Sequence, residues 1–264
     1  MQFAELNGIV VHYQDRGPRD GPALVFSNSL GTDFRLWDQL LALLPEGLRI
    51  IRYDTRGHGL SAAPEGAYFM GDLVADAAAL IEHLGARGCV FVGLSIGGMI
   101  AQGLAAEHPG LLRAAVLSNT AARIGTPAMW EQRIEAVRAG GIGAIAESIL
   151  ERWFSARWRR ENPLALAGWR HMLCRTPVAG YLGCSAAIAG TDLLESTARL
   201  RLPVLAIAGS DDGSTPPDLV RETAGLIEGV RFQLIRGAGH LPCVERPGDY
   251  ARVLTGFLGE VGHV

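Results

Sequence analysis

Six strand-length runs, largely apolar and separated by stretches of helical character, constrain this chain more than any other feature. They are Ala23 to Phe26, Leu48 to Tyr53, Cys89 to Val92, Ala114 to Leu117, Pro203 to Ala208 and Val230 to Ile235. A strand that is apolar along its length has both faces covered, and strands of this kind alternating with helices describe a parallel sheet between helical layers. Ahead of them, Phe3 to Leu6 and Ile9 to Tyr13 flank Asn7-Gly8, a pair that favours a two-residue turn. An antiparallel hairpin is therefore expected at one edge.

The rhythm breaks between residues 123 and 199, which offer helical pieces, no convincing strand and four of the five tryptophans. Thr126-Pro127 reads as a helix cap followed by proline at the first helical position, and Gly140-Gly141 ends that helix. Helices inserted here would lie over the carboxyl ends of the strands, where open α/β sheets bind ligands. The expected organisation is one core of residues 1–122 and 200–264 with a helical cap of residues 123–199. Gly141-Ile142-Gly143-Ala144-Ile145-Ala146 imitates a dinucleotide-binding loop, but a helix precedes it where a strand is required.

Composition works by exclusion. All 24 basic residues are arginine, so no lysine can form a Schiff base, anchor pyridoxal phosphate or cradle a nucleotide phosphate in a P-loop. A net charge of −3 argues against affinity built on nucleic-acid phosphates. The start shows no charged segment leading into an apolar one, and no 18-residue apolar run follows, so a soluble cytoplasmic protein without membrane attachment is expected. Cys89, Cys174, Cys184 and Cys243 are widely spaced and read as free thiols. His171 and Cys174 alone have ligand-like spacing, and a zinc site needs three or four converging ligands, so no metal is expected.

The chemistry centres on Val90-Phe91-Val92-Gly93-Leu94-Ser95-Ile96-Gly97-Gly98, a strand that enters a helix through Gly-x-Ser-x-Gly. A serine on such a turn projects its oxygen above the sheet, beside a helix amino terminus that favours developing negative charge. Serine is a poor nucleophile at its free pKa and needs a base and an orienting acid. The next-to-last strand runs into Gly209-Ser210-Asp211-Asp212, with two candidate acids, and the last runs into Gly237-Ala238-Gly239-His240, with one candidate base. The order Ser, Asp, His suits this architecture. His58, within Asp54-Thr55-Arg56-Gly57-His58-Gly59, competes for the base role but sits in a turn before the nucleophile and is read as structural.

With these residues placed, the chain resembles the α/β-hydrolase superfamily over nearly its whole length, and within it the 3-oxoadipate enol-lactonases of bacterial aromatic catabolism. The segments carrying the resemblance are Phe26-Ser27-Asn28-Ser29-Leu30-Gly31-Thr32, Arg52 to Gly59, Gly93 to Ile100, Leu117 to Pro127 and Glu151-Arg152-Trp153-Phe154. It implies a mostly parallel eight-stranded sheet flanked by helices, with Ser95, Asp212 and His240 as a catalytic triad. Asp212 is preferred because its spacing from Gly209 and Pro216 is the one these hydrolases usually show. Aligning Trp37 with a tryptophan common in relatives makes the Leu30 N–H one oxyanion donor beside that of Ile96, although Asn28-Ser29 replaces a frequent His-Gly pair.

The implied substrate is a small anionic enol-lactone, opened without a cofactor. Its carboxylate wants a basic partner, and residues 123–199 hold ten arginines against seven acidic residues. Trp130 and Arg133, three apart on the helix that Thr126 begins, would offer an aromatic wall beside a guanidinium, and Trp153 is a further candidate. The bland alternative packs Trp130 into the cap and pairs Arg133 with Glu131 or Glu135. Carboxylesterases, carbon-carbon bond hydrolases and perhydrolases would share the same three residues, and a non-turnover ligand receptor is the competitor from another class.

Overall fold

The computed structural model describes residues 1–264. Eight strands form one sheet: β1 (Gln2–Leu6), β2 (Ile9–Arg16), β3 (Ala23–Ser27), β4 (Arg49–Tyr53), β5 (Cys89–Leu94), β6 (Leu112–Ser118), β7 (Val204–Gly209) and β8 (Arg231–Ile235). Their order is β1-β2-β4-β3-β5-β6-β7-β8. Strand β2 pairs antiparallel with β1 and β4, and all other pairings are parallel. The hairpin turn has positive φ at both central residues, 47° at Asn7 and 75° at Gly8, the conformation that makes Asn-Gly favourable there.

Every residue of β3, β5 and β7 is buried, which is why these strands read as continuous apolar runs. Strand β8 closes the sheet at an edge and is mostly half-buried, so it tolerates Arg231 and Gln233. The chain leaves β3 on one side to form β4 and returns on the other as β5. The loops that follow β3 and β5 diverge at this point, and open sheets bind ligands in such a crevice.

Between β6 and β7 the chain forms helices Pro127–Gly140, Ala146–Trp153, Ala156–Glu161, Pro163–Cys174, Val178–Ala189 and Leu194–Ala198, with a 3-10 turn at Ile142–Ile145 and no strand. The first is bounded as its sequence predicts: the Thr126 hydroxyl accepts from Met129 N at 3.3 Å, Pro127 follows, and Gly141 ends it with φ of 68°. Aromatic packing explains the concentration of tryptophan, because Trp158 stacks on Phe154 at 4.2 Å between centroids and Trp169 tilts against it at 5.8 Å. This helical layer meets the rest of the molecule backbone to backbone at Gly57 and Gly180, where a Cβ on Gly180 would lie 2.0 Å from the Gly57 carbonyl oxygen. All four cysteines are free, and no helix is long and apolar enough to cross a membrane.

Candidate active site

Ser95 occupies the turn between β5 and helix Ile96–Glu107 with φ of 59° and ψ of −117°, a region that residues with side chains rarely adopt. The surroundings hold it there: Ser95 N donates to Ser118 O at 2.9 Å, and the Thr120 hydroxyl donates to Ser95 O at 2.6 Å. Close approach explains the motif glycines. A Cβ on Gly93 would lie 2.0 Å from Gly97 O, and one on Gly97 would lie 2.4 Å from Ser27 O. The tight turn thus requires the spacing that marks it in the sequence.

His240 arrives on the loop after β8, where its backbone N–H donates to Trp153 O at 2.8 Å. Its Nδ1 lies 2.9 Å from Asp212 Oδ2 and 3.1 Å from Oδ1. A carboxylate only accepts, so the proton of the neutral ring sits on Nδ1 and Nε2 is free to take one. Nε2 lies 3.5 Å from the Ser29 hydroxyl, and Ser95 and His240 line the same cavity.

Asp212 is buried and fully bonded. Oδ1 accepts from Ser214 N at 2.7 Å and Thr215 N at 3.0 Å, while Oδ2 accepts from the Thr215 hydroxyl at 2.7 Å and Asn119 Nδ2 at 2.8 Å. Burial alone pushes its carboxyl up, but His240 and the hydrogen bonds from His240, Asn119 and Thr215 outweigh burial and hold it below the ordinary aspartate value. Asp211 is exposed and accepts from the Ser210 hydroxyl at 2.6 Å. Of the two adjacent carboxylates, only Asp212 touches the histidine.

Opposite Ser95, residues Ser29 to Thr32 form a turn in which Thr32 N donates to Ser29 O at 3.1 Å and Gly31 has φ of 79°, as a type II turn requires. The Leu30 N–H within it has no acceptor in the protein. Ile96 is the first residue of its helix, so its N–H has no intrahelical acceptor. Asn28 accounts for the departure from the frequent His-Gly pair: its Oδ1 accepts from Trp37 Nε1 at 2.9 Å and its Nδ2 donates to Tyr53 O at 2.8 Å. That amide anchors the start of the loop to the core.

The cavity above Ser95 has a volume of about 110 Å³, and its lining includes Leu30, His240, Trp130, Arg133, Arg152, Trp153 and Tyr181 but no Asp or Glu. The Arg133 guanidinium lies 4.5 Å over the Trp130 ring, beside the Tyr181 hydroxyl, and has no carboxylate within 4.0 Å. The pairing with Glu131 or Glu135 does not occur. Burial draws the Arg133 pKa below the ordinary arginine value, and a guanidinium remains charged even so. Trp130 and Trp153 are both buried yet form part of the cavity wall, and Trp130 Nε1 donates to Ile124 O at 2.6 Å. A larger cleft of about 640 Å³ between the N-terminal hairpin and helix Pro163–Cys174 includes none of Ser95, Asp212 or His240.

Sequence reasoning missed Arg152, Tyr181, Asn119 and Thr215. Arg152 had a signal in the Glu151-Arg152-Trp153-Phe154 segment and in the excess of arginine in residues 123–199, whereas Tyr181 carries none. Asn119 could have been found from its position just past β6, beside the strand that leads to Asp212.

A profile of the alpha/beta hydrolase family matches residues 24–253. The chain is 35% identical to 3-oxoadipate enol-lactonase 2 of Acinetobacter baylyi over 252 residues, covering 95% of this chain and 93% of that protein. Its structure is similar to the crystal structure of the enol-lactonase from Burkholderia xenovorans, with a TM-score of 0.94 at 37% identity over 98% of this chain and all of the other. A thermophilic esterase from Thermogutta terrifontis is similar at 29% identity and a TM-score of 0.92, over the full length of both chains.

Proposed function

The chain belongs to the alpha/beta hydrolase family, and from that premise we propose that it opens 3-oxoadipate enol-lactone to 3-oxoadipate in the breakdown of aromatic compounds. Lactone or ester hydrolysis is in the names of several proteins it resembles, including the enol-lactonases of Acinetobacter baylyi and Burkholderia xenovorans and the esterase of Thermogutta terrifontis. The observation that carries the finer reading is the cavity itself: small, set over Ser95, and lined by two arginines without a carboxylate to pair them. At about 110 Å³ it is well below the roughly 300–1,000 Å³ of sites for drug-sized ligands, which favours a compact anionic acyl compound.

In this mechanism Ser95 attacks the lactone carbonyl while His240 Nε2 takes its proton and Asp212 holds the ring in the required tautomer. The N–H groups of Leu30 and Ile96 receive the oxyanion. The ring oxygen leaves as an enolate, which is protonated and tautomerises to the ketone, and water activated by His240 then hydrolyses the acyl-enzyme. Arg133 takes the substrate carboxylate, with Trp130 and Trp153 as the aromatic wall beside it. No cofactor enters any step. In this reading residues 123–199 act as a cap on a core of residues 1–122 and 200–264.

The test is the loss of enol-lactone absorbance on adding purified protein, with p-nitrophenyl acetate beside it and Ser95→Ala as the blank. Fast, serine-dependent loss of the lactone is expected, and Arg133→Ala should raise KM about ten- to a hundredfold, as for a lost charge-assisted contact. Ester turnover without lactone turnover would refute the substrate and leave the hydrolase standing.

A further inference from the structure

His58, which the sequence presents as a turn residue, has both ring nitrogens occupied in the buried interior. Its Nε2 lies 2.9 Å from Gly31 N. A backbone N–H can only donate, so Nε2 accepts and carries no proton. The ring proton is therefore on Nδ1, 3.3 Å from the Arg56 carbonyl oxygen that receives it. The side chain does not line the cavity and touches neither Ser95 nor His240. Its one contact with the machinery is Gly31, the residue after the Leu30 oxyanion donor.

The turn that presents Leu30 is secured at few points. Ser29 O accepts from Thr32, Gly31 O accepts from the Thr176 hydroxyl at 3.5 Å, and Gly31 N donates to His58. Without the His58 acceptor the buried Gly31 N–H is left unsatisfied, and reorienting the Leu30–Gly31 segment is the local way to relieve it. His58 is itself firmly seated. Arg56 is clamped by Asp76 through bonds of 2.6 and 2.7 Å, and Cys184 Sγ, from helix Val178–Ala189, lies 3.5 Å from Arg56 O and 4.0 Å from Nδ1.

We infer that His58 is a positioning residue for the reaction proposed above, a neutral imidazole protonated on Nδ1 that holds the Leu30 oxyanion donor in place through Gly31. The inference rests on the hydrolase reading. Protonating Nε2 would set one N–H against another and release the turn. The groups around the ring act in opposite directions: burial lowers its pKa, whereas the Arg56 carbonyl and the charges of Asp54 and Asp33 raise it, and burial prevails. A histidine with a lowered pKa contributes fully above its ordinary value, and the contribution is lost as pH falls through the lowered one. Acid should therefore weaken the oxyanion site.

The test compares His58→Phe, which keeps a ring but removes the acceptor, with His58→Gln, whose amide oxygen can accept from Gly31. For both the lactone and p-nitrophenyl acetate, His58→Phe should lower kcat about ten- to a hundredfold with KM changed less than about threefold. His58→Gln should recover most of that loss and carry a simpler acid limb in its pH profile. A His58→Phe enzyme with wild-type kcat, or a Gln variant no better than Phe, overturns the inference. If His58→Phe does not fold, long-range ¹H–¹⁵N NMR of the wild type decides: a neutral ring protonated on Nδ1 supports it, and a proton on Nε2 overturns it. Wild-type protein inert toward both substrates would sink the hydrolase reading and this inference together, whereas an active enzyme indifferent to His58→Phe sinks only this one.

Discussion

Asn119 and Asp212 stand just past the carboxyl ends of adjacent strands and meet through one 2.8 Å hydrogen bond from Nδ2 to Oδ2. The amide is oriented by its neighbours, since the Ser118 hydroxyl donates to Asn119 Oδ1 at 3.1 Å and Nδ2 also reaches Gly239 O at 3.4 Å. Asn119 adopts φ of 46°, which asparagine tolerates better than most residues. A neutral donor at this place supports the Asp212 anion without adding a charge that would compete for His240.

Asn119→Gly removes that donor while fitting the same backbone conformation. The Asp212 pKa should rise, because one of the groups opposing the burial penalty is gone. A carboxylate with a depressed pKa stabilises the fold above its ordinary value and loses that contribution as pH falls. Acid unfolding should therefore begin at higher pH than in the wild type. Coincident acid-unfolding curves would contradict the role given to Asn119.

Asp211 and Asp212 should separate sharply in activity. Asp212→Asn replaces an acceptor of the His240 Nδ1 proton with a group that can donate, favouring the wrong tautomer, and kcat should fall by about three to four orders of magnitude. Asp211→Asn, at an exposed position, should stay within about twofold. Steady-state rates of the two purified variants check this, and a larger loss at 211 would reverse the assignment.

Gly180→Ala should cost stability because the new methyl meets the Gly57 backbone at 2.0 Å and neither chain can turn aside. Overpacking of this kind costs about 1–3 kcal/mol, a fall in Tm of roughly 2–10 °C for a chain of this size. KM should rise as well, since the displaced helix carries Tyr181. Gly168→Ala, on another helix of the same layer with nothing within 4 Å, is the control and should leave Tm unchanged or slightly higher. Equal Tm values for the two variants would show that the contact is not a tight one.

The sheet was legible because burial on both faces writes itself as largely apolar runs, and β8 was read in the same way although its edge position admits Arg231 and Gln233. The Gly93-x-Ser95-x-Gly97 turn was legible because close backbone approach, to Gly97 O at Gly93 and to Ser27 O at Gly97, confines a short and recognisable spacing to glycine. Arg152 and Tyr181 were not, because they meet the cavity only through the packing of segments far apart in the chain, and Thr215 was missed because its bonds to Asp212, three residues away, look in sequence like any turn. Asn119 shows the limit well: its chemistry is ordinary, and only the pairing of β6 with β7 brings it to Asp212. His58 was visible as a residue, but its partner Gly31 belongs to another loop.

The loops that bear Asp212 and His240 are stitched to the helical layer by main-chain bonds, His240 N to Trp153 O at 2.8 Å and Gly213 N to Arg152 O at 3.2 Å. Those helices therefore cannot be regarded as an interchangeable module set on a self-sufficient catalyst. Grafting in a foreign segment to alter substrate preference would also remove two carbonyls on which the placement of His240 and the turn after Asp212 depends. Evolution toward new substrates along this lineage is consequently freer to change side chains facing the cavity than to exchange the segment between Arg152 and Phe154.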